Sequence, residues 1–265
     1  MATNCCLVAF MLELLSMIKC LLSTATDTGL LRTHNEDAIF QFQQGQVSLL
    51  IVADGMGGHQ AGEVASALAI ETMTAALLPK LQTPSASQLD LGQALQAAII
   101  EANQAIIAYG DSHDDDANLG TTVTAVLVCD AEAVVANVGD SRTYLLRDQT
   151  LTQVTNDHSY VGELVRVGIL KPEALFDHPR RSLITRSLGM RNTVEVDLFP
   201  LTLQTDDQLL LCSDGLWEMV RNSAEITTIL SNTPTPAAAT QQLINRANHY
   251  GGEDNIAVAI ARFVV

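Results

Sequence analysis

An α+β fold with mainly antiparallel sheets is what this sequence predicts, on two patterns. Short apolar runs rich in Val, Ile, Leu and Thr recur at strand length along the 265 residues. Two longer segments with helical periodicity stand next to each other between such runs, whereas a parallel α/β sheet would alternate the two element types. The residues are 48% hydrophobic, enough for one full core, and no repeat, low-complexity tract or long linker divides them.

Residues 1–22 are apolar but interrupted by Glu13 and Lys19, with no basic side chain in Met1–Asn4. The interruptions disfavour a membrane span and the flanks disfavour a signal peptide. We read the segment as an extension outside the main fold, with docking on a membrane or partner as the alternative. Residues 23–265 then form the domain. Val47–Ala53 reads as a strand. Val64, Leu68, Thr72, Met73, Ala76 and Leu77 recur at helical spacing within Gly62–Leu78, as do Leu91, Leu95, Ala98, Ile99, Ala102, Ile106 and Tyr109 in the next segment. Both predict amphipathic helices with one face on a sheet. Asp111–Asn118 is an acidic loop, read as solvated rather than calcium-binding. Strands are expected at Thr121–Cys129 and Ala133–Val138. Ser159–Arg181 inserts a short helical pattern and a Pro-containing stretch, and strands at Gln208–Cys212 and Ile256–Val264 close the fold.

Thirty acidic against 14 basic side chains give a net charge of −16, which argues against nucleic acid and against electrostatic attachment to anionic lipid. Cys5, Cys6, Cys20, Cys129 and Cys212 make neither a disulfide framework nor a metal-ligand pattern. A reducing cytoplasm fits them best.

Four runs carry the chemistry: Ile51–His59, Asn137–Arg142, Leu209–Gly215 and Gly251–Asn255. Each sets an aspartate (Asp54, Asp140, Asp214, Asp254) beside glycine or a turn residue. Three of these aspartates follow an apolar run, and the fourth immediately precedes one. Aspartates at the ends of buried strands can converge in space, where they resist ionisation unless cations neutralise them. Such oxygen ligands suit hard ions, so the runs point to a multi-metal carboxylate site.

The four runs resemble, in order and spacing, the metal-dependent serine/threonine protein phosphatases of type 2C, the PPM family, in compact bacterial form. Arg32–Asp37, Gly120–Thr122, Thr155–Ser159, Thr185–Gly189 and Asn255–Val258 add to the resemblance, which covers the chain from about Thr24. It implies a β-sandwich with helices on both outer faces (α-β-β-α) and a flap subdomain at about 159–182. It implies two tightly bound Mn²⁺ or Mg²⁺ ions, held by Asp54, the Gly55 carbonyl, Asp214 and Asp254, and a third, weaker ion on Asp140 and Asp214. Glu36, Asp37 and Asn255 would support them, and Arg32 would bind the phosphoryl group. Hydrolysis would proceed through a metal-bridging hydroxide without a phosphoenzyme. Met56 stands where animal relatives carry a proton-donating histidine, leaving His59 or a metal-bound water for that role. The implied partners are phosphorylated serine/threonine proteins and a cognate kinase, for a monomeric cytoplasmic enzyme. A phosphoprotein-binding regulator without chemistry, or a partner-switching phosphatase of anti-sigma antagonists, are the alternatives.

Overall fold

The computed structural model describes residues 19–57, 61–83, 90–113 and 119–265. Two antiparallel sheets stack face to face. One runs in the order β1 (Lys19–Asp27), β11 (Ile256–Val264), β10 (Gln208–Cys212), β7 (Arg142–Arg147) and β8 (Thr150–Gln153). The other runs β2 (Asp37–Gln44), β3 (Val47–Met56), β5 (Val123–Cys129), β6 (Glu132–Val138) and β9 (Asp197–Thr202), with the two-residue β4 (Gly120–Thr121) beside the end of β3.

Residue periodicity explains the layers. Along β3, Leu49, Ile51 and Ala53 face α1 (Ala61–Leu81) and α2 (Leu91–Ser112), while Leu50 and Val52 face the other sheet. Along β11, Ile256, Val258 and Ile260 pack toward α5 (Ser223–Asn232) and α6 (Pro236–His249). Its Ala257, Ala259 and Ala261 lie between the sheets, where small side chains let the sheets approach. Strands buried on both faces read as continuous apolar runs rather than as alternation, and these are the strands the sequence shows most clearly. The architecture is the expected α-β-β-α sandwich. By length and composition alone α1 could cross a membrane, but its Ala65, Ala69, Met73 and Leu77 are buried in the core.

One boundary needs correcting. The extension was expected to end at residue 22, yet Lys19, Cys20, Leu21 and Leu22 already pair with Val264, Phe263, Arg262 and Ala261. Leu22 and Cys20 pack against the layer between the sheets. Charge at Lys19 and alternating exposure suit the edge strand β1. The segment before Lys19, like most of the acidic loop (114–118), lies outside the described residues.

Residues 159–182 carry α3 (Tyr160–Arg166) and a 3₁₀ turn, Pro172–Leu175. The base of this insert is closed by Tyr160 N–H donating to the Leu183 carbonyl and Thr185 N–H donating to that of His158.

Candidate active site

The sandwich brings the motif loops to one end. Asp54 lies opposite Asp37 in the β2–β3 ladder. The Asp54 backbone is gripped by Gly120–Thr122: its N–H donates to Thr122 Oγ1 (3.1 Å), and its carbonyl accepts from Thr122 N–H (2.9 Å) and Thr121 Oγ1 (2.9 Å). Gly55 follows where a Cβ would fall 2.1 Å from the Gly62 carbonyl oxygen, so no other residue fits this crossing of β3 and α1. Asp214 opens the one-turn helix α4 (Asp214–Trp217) after β10. Asp254 and Asn255 lead into β11.

Asn255 holds the segment that carries Arg32 and Glu36. Its Oδ1 accepts from Glu36 N–H (2.8 Å), and its Nδ2 donates to the carbonyls of Thr28 and His34 (2.9 Å each). Arg32 Nη2 reaches Asp254 Oδ2 at 2.7 Å. Ser213 Oγ donates to Asp37 Oδ2 at 2.6 Å and accepts from Ala257 N–H at 2.9 Å.

The electrostatics are those of crowded acids. Burial, then the neighbouring Asp214, Asp37, Asp140 and Asp254, pushes the Asp54 carboxyl well up. Burial and then Asp140 and Asp254 do the same to Asp214. Burial raises Asp37 to about 7 against the opposing Ser213 hydrogen bond, and raises Asp140 to about 7 with Asp157 adding to it. Glu36 is raised by burial and restrained by Arg32. Asp140 Oδ1 is buried with no hydrogen-bond partner. Among the described residues, no three His, Cys, Asp or Glu side chains close on a single point as an ion would require. Asp254 is instead turned onto Arg32, and Asp37 onto Ser213. Mutually repelling carboxyls and an orphaned carboxylate oxygen are nonetheless the donor set a hard divalent cation fits.

The structure thus gathers Arg32, Glu36, Asp37, Asp54, Gly55, Asp140, Asp214, Asp254 and Asn255 at one end, whereas His59 lies outside the described residues. Met56 lines a neighbouring cleft of about 560 Å³, together with Glu163, Ile184, Arg186 and Met190. Arg142 reads from the sequence as a buttress of its strand turn; sequence reasoning missed the partners of this and a second support beneath the site. Arg142 makes a bidentate pair with Asp157 (Nε–Oδ1 2.9 Å, Nη2–Oδ2 2.6 Å) and lies over the ring of Trp217. Arg181 of the insert pairs with Glu218, directly after α4. The Thr155–Ser159 run signalled the first of these, since Asp157 belongs to it; the second has no sequence signature.

A profile described as protein phosphatase 2C matches residues 32–249. The serine/threonine phosphatase stp of Listeria monocytogenes is 43% identical over 237 residues, 89% of this chain and 92% of that protein. Protein phosphatase PhpP of Streptococcus pneumoniae is 36% identical over 246 residues, 90% of this chain and 96% of that protein. Among solved structures, the catalytic domain of the serine/threonine protein phosphatase PstP in complex with two manganese ions aligns with a TM-score of 0.82 at 37% identity. That alignment covers 94% of this chain and 100% of that one. Stp1 from Staphylococcus aureus aligns with a TM-score of 0.84 at 34% identity, over 93% of this chain and 95% of that one. Fold, motif order and these likenesses agree: the chain belongs to the protein phosphatase 2C family.

Proposed function

We propose that this protein removes phosphate from phosphoserine and phosphothreonine in signalling proteins, using two tightly held divalent ions, Mn²⁺ or Mg²⁺, and a third held more weakly. Serine/threonine phosphatase activity on phosphoproteins and dependence on divalent metal come with the family. The finer assignment rests on one observation: Asp54, Asp140 and Asp214 are gathered at the end of the sandwich, where burial raises all three carboxyls and Asp140 pushes Asp54 and Asp214 up further.

Asp54, the Gly55 carbonyl, Asp214 and Asp254 would hold the two tight ions, and Asp140 with Asp214 the third. When bound, the ions supply the Lewis acidity that makes water a nucleophile near neutral pH. Asp37 and Glu36, fixed by Ser213 and Asn255, orient the surrounding water. Arg32, which pairs with Asp254 here, would be freed if an ion took up that carboxylate, and its planar fork would then donate to two phosphoryl oxygens. It stabilises them further as negative charge grows in the transition state. We read the enzyme as cytoplasmic and monomeric. The buried free thiols of Cys129 and Cys212 support a reducing compartment. A kinase must supply the phosphoester it consumes.

The test is release of phosphate from a phosphothreonine peptide with Mn²⁺, with Mg²⁺ and with EDTA, alongside gel filtration. Metal-dependent release supports the reading. Peptide binding without release would replace it with a docking function.

A further inference from the structure

We propose that Trp217 is a positioning residue, fixing the backbone from which Asp140 is aimed into the carboxylate cluster. The inference rests on the reading that Asp140 helps to hold the third ion.

Asp140 is 4% exposed, and its Oδ1 has no hydrogen-bond partner. A carboxylate oxygen that nothing grips takes its direction from the main chain behind it. That main chain is held on both sides. Before it, Gly139 has φ +106°, and a Cβ there would lie 2.5 Å from Thr122 Cγ2, so the turn accepts only glycine. Gly139 N–H donates to His158 Nδ1 (3.1 Å), and its carbonyl accepts from His158 N–H (2.9 Å). On the other side, the Asp140 carbonyl accepts from Trp217 Nε1–H at 3.1 Å, and this bond is buried.

The indole is itself fixed. The Arg142 guanidinium carbon stands 3.5 Å from the ring centroid, and that arginine is locked to Asp157. Phe176 of the insert packs on the ring at 6.2 Å between centroids. Trp217 also sits on α4, three residues after Asp214. One side chain therefore sets the Asp140 loop against the helix that starts with Asp214, and these are the two carboxylates the third ion would share. An indole needed only for packing would not have to aim its N–H at this carbonyl; the directed bond is what assigns the role.

Trp217 is the sole tryptophan of the chain, so its fluorescence reports this spot alone. The experiment titrates the full-length protein with Mn²⁺, following indole quenching and counting free Mn²⁺ by electron paramagnetic resonance. The wild type, D140N and W217F are compared, the last retaining a ring but losing the N–H. We expect a weak binding phase in the wild type that also quenches the indole and is absent from D140N. In W217F the tight ions should bind as before, and the weak one about three- to tenfold less tightly, the worth of one hydrogen bond. The Mn²⁺ dependence of p-nitrophenyl phosphate turnover should shift by the same factor, with KM at saturating metal nearly constant. Wild-type weak binding in W217F, with its loss in D140N, overturns the role of Trp217 alone. Equal weak binding in wild type and D140N overturns the assignment of Asp140 beneath it. Should W217F fail to fold, the indole decides: a weak phase that leaves its fluorescence unchanged overturns the proposal.

Discussion

Arg32 and Asp254 form a half-exposed ion pair at the mouth of the site, and both partners have other work in the proposed reaction. Replacing Arg32 by alanine should mainly raise KM for a phosphopeptide. At its exposure the loss is about 1.5 kcal/mol, roughly tenfold, the low end for a charge-assisted contact. Steady-state kinetics on one peptide check this, and an unchanged KM would remove Arg32 from substrate binding. Asp54→Asn and Asp214→Asn should abolish turnover but raise the melting temperature of the metal-free protein, because each removes a carboxyl whose ionised form is disfavoured first by burial and then by its neighbours. Calorimetric melts in EDTA, paired with Mn²⁺-dependent assays, separate the two effects. These residues were legible in the sequence because an aspartate beside glycine at a strand end is a local pattern. Trp217, Ser213 and Glu218 were not, since their roles arise from contacts such as Trp217 to Asp140 that span 77 residues.

Among the elements, long apolar strands were legible, whereas the buried but polar-flanked β7 and the partly exposed edge strands were not. The runs of β3, β5, β10 and β11 announce themselves by continuous apolar character, as α1 and α2 do by period. β9 was missed: Pro200 interrupts it, which an edge strand tolerates. The helices α5 and α6 are short or rich in Ala, Asn and Gln, and although Ile226, Ile229, Leu230, Leu243 and Ile244 line one face, that stripe was not picked out. β1 was mistaken for the end of an apolar extension, because Cys20, Leu21 and Leu22 continue that extension's composition. The ladder makes a sharp prediction. A chain starting at Lys19 keeps all nine pairings with β11, whereas one starting at Ser23 loses the four from Lys19 to Leu22. The shorter chain should melt several degrees lower, for a loss of about 1–2 kcal/mol. Equal melting temperatures would show that these four residues are dispensable.

At the scale of the whole molecule, the burial of acids, with their crowding second, links stability to pH. Asp37 and Asp140 have folded values of about 7, raised from 3.8. Between those values the folded state binds more protons than the unfolded one, so their contribution is fully present below pH 4 and is lost as pH rises through 7. In EDTA, melting temperature should therefore fall between pH 5 and pH 8, and saturating Mn²⁺ should narrow or reverse the difference. Differential scanning calorimetry reads both series; a metal-free protein that melts higher at pH 8 than at pH 5 would refute the linkage. The sheet order has a further consequence, for synthesis. β11 is the last element in sequence, yet it lies between β1 and β10 and brings Asp254 and Asn255 with it. On the ribosome, β1 must wait for more than two hundred residues before its partner emerges, and a pairing so distant forms late. Asp54, Asp140 and Asp214 are all in place along the nascent chain long before the strand that completes their cluster. The phosphatase thus has no half-built active form: an interrupted translation product that stops short of β11 lacks both the centre of one sheet and the residues that hold Arg32 in position.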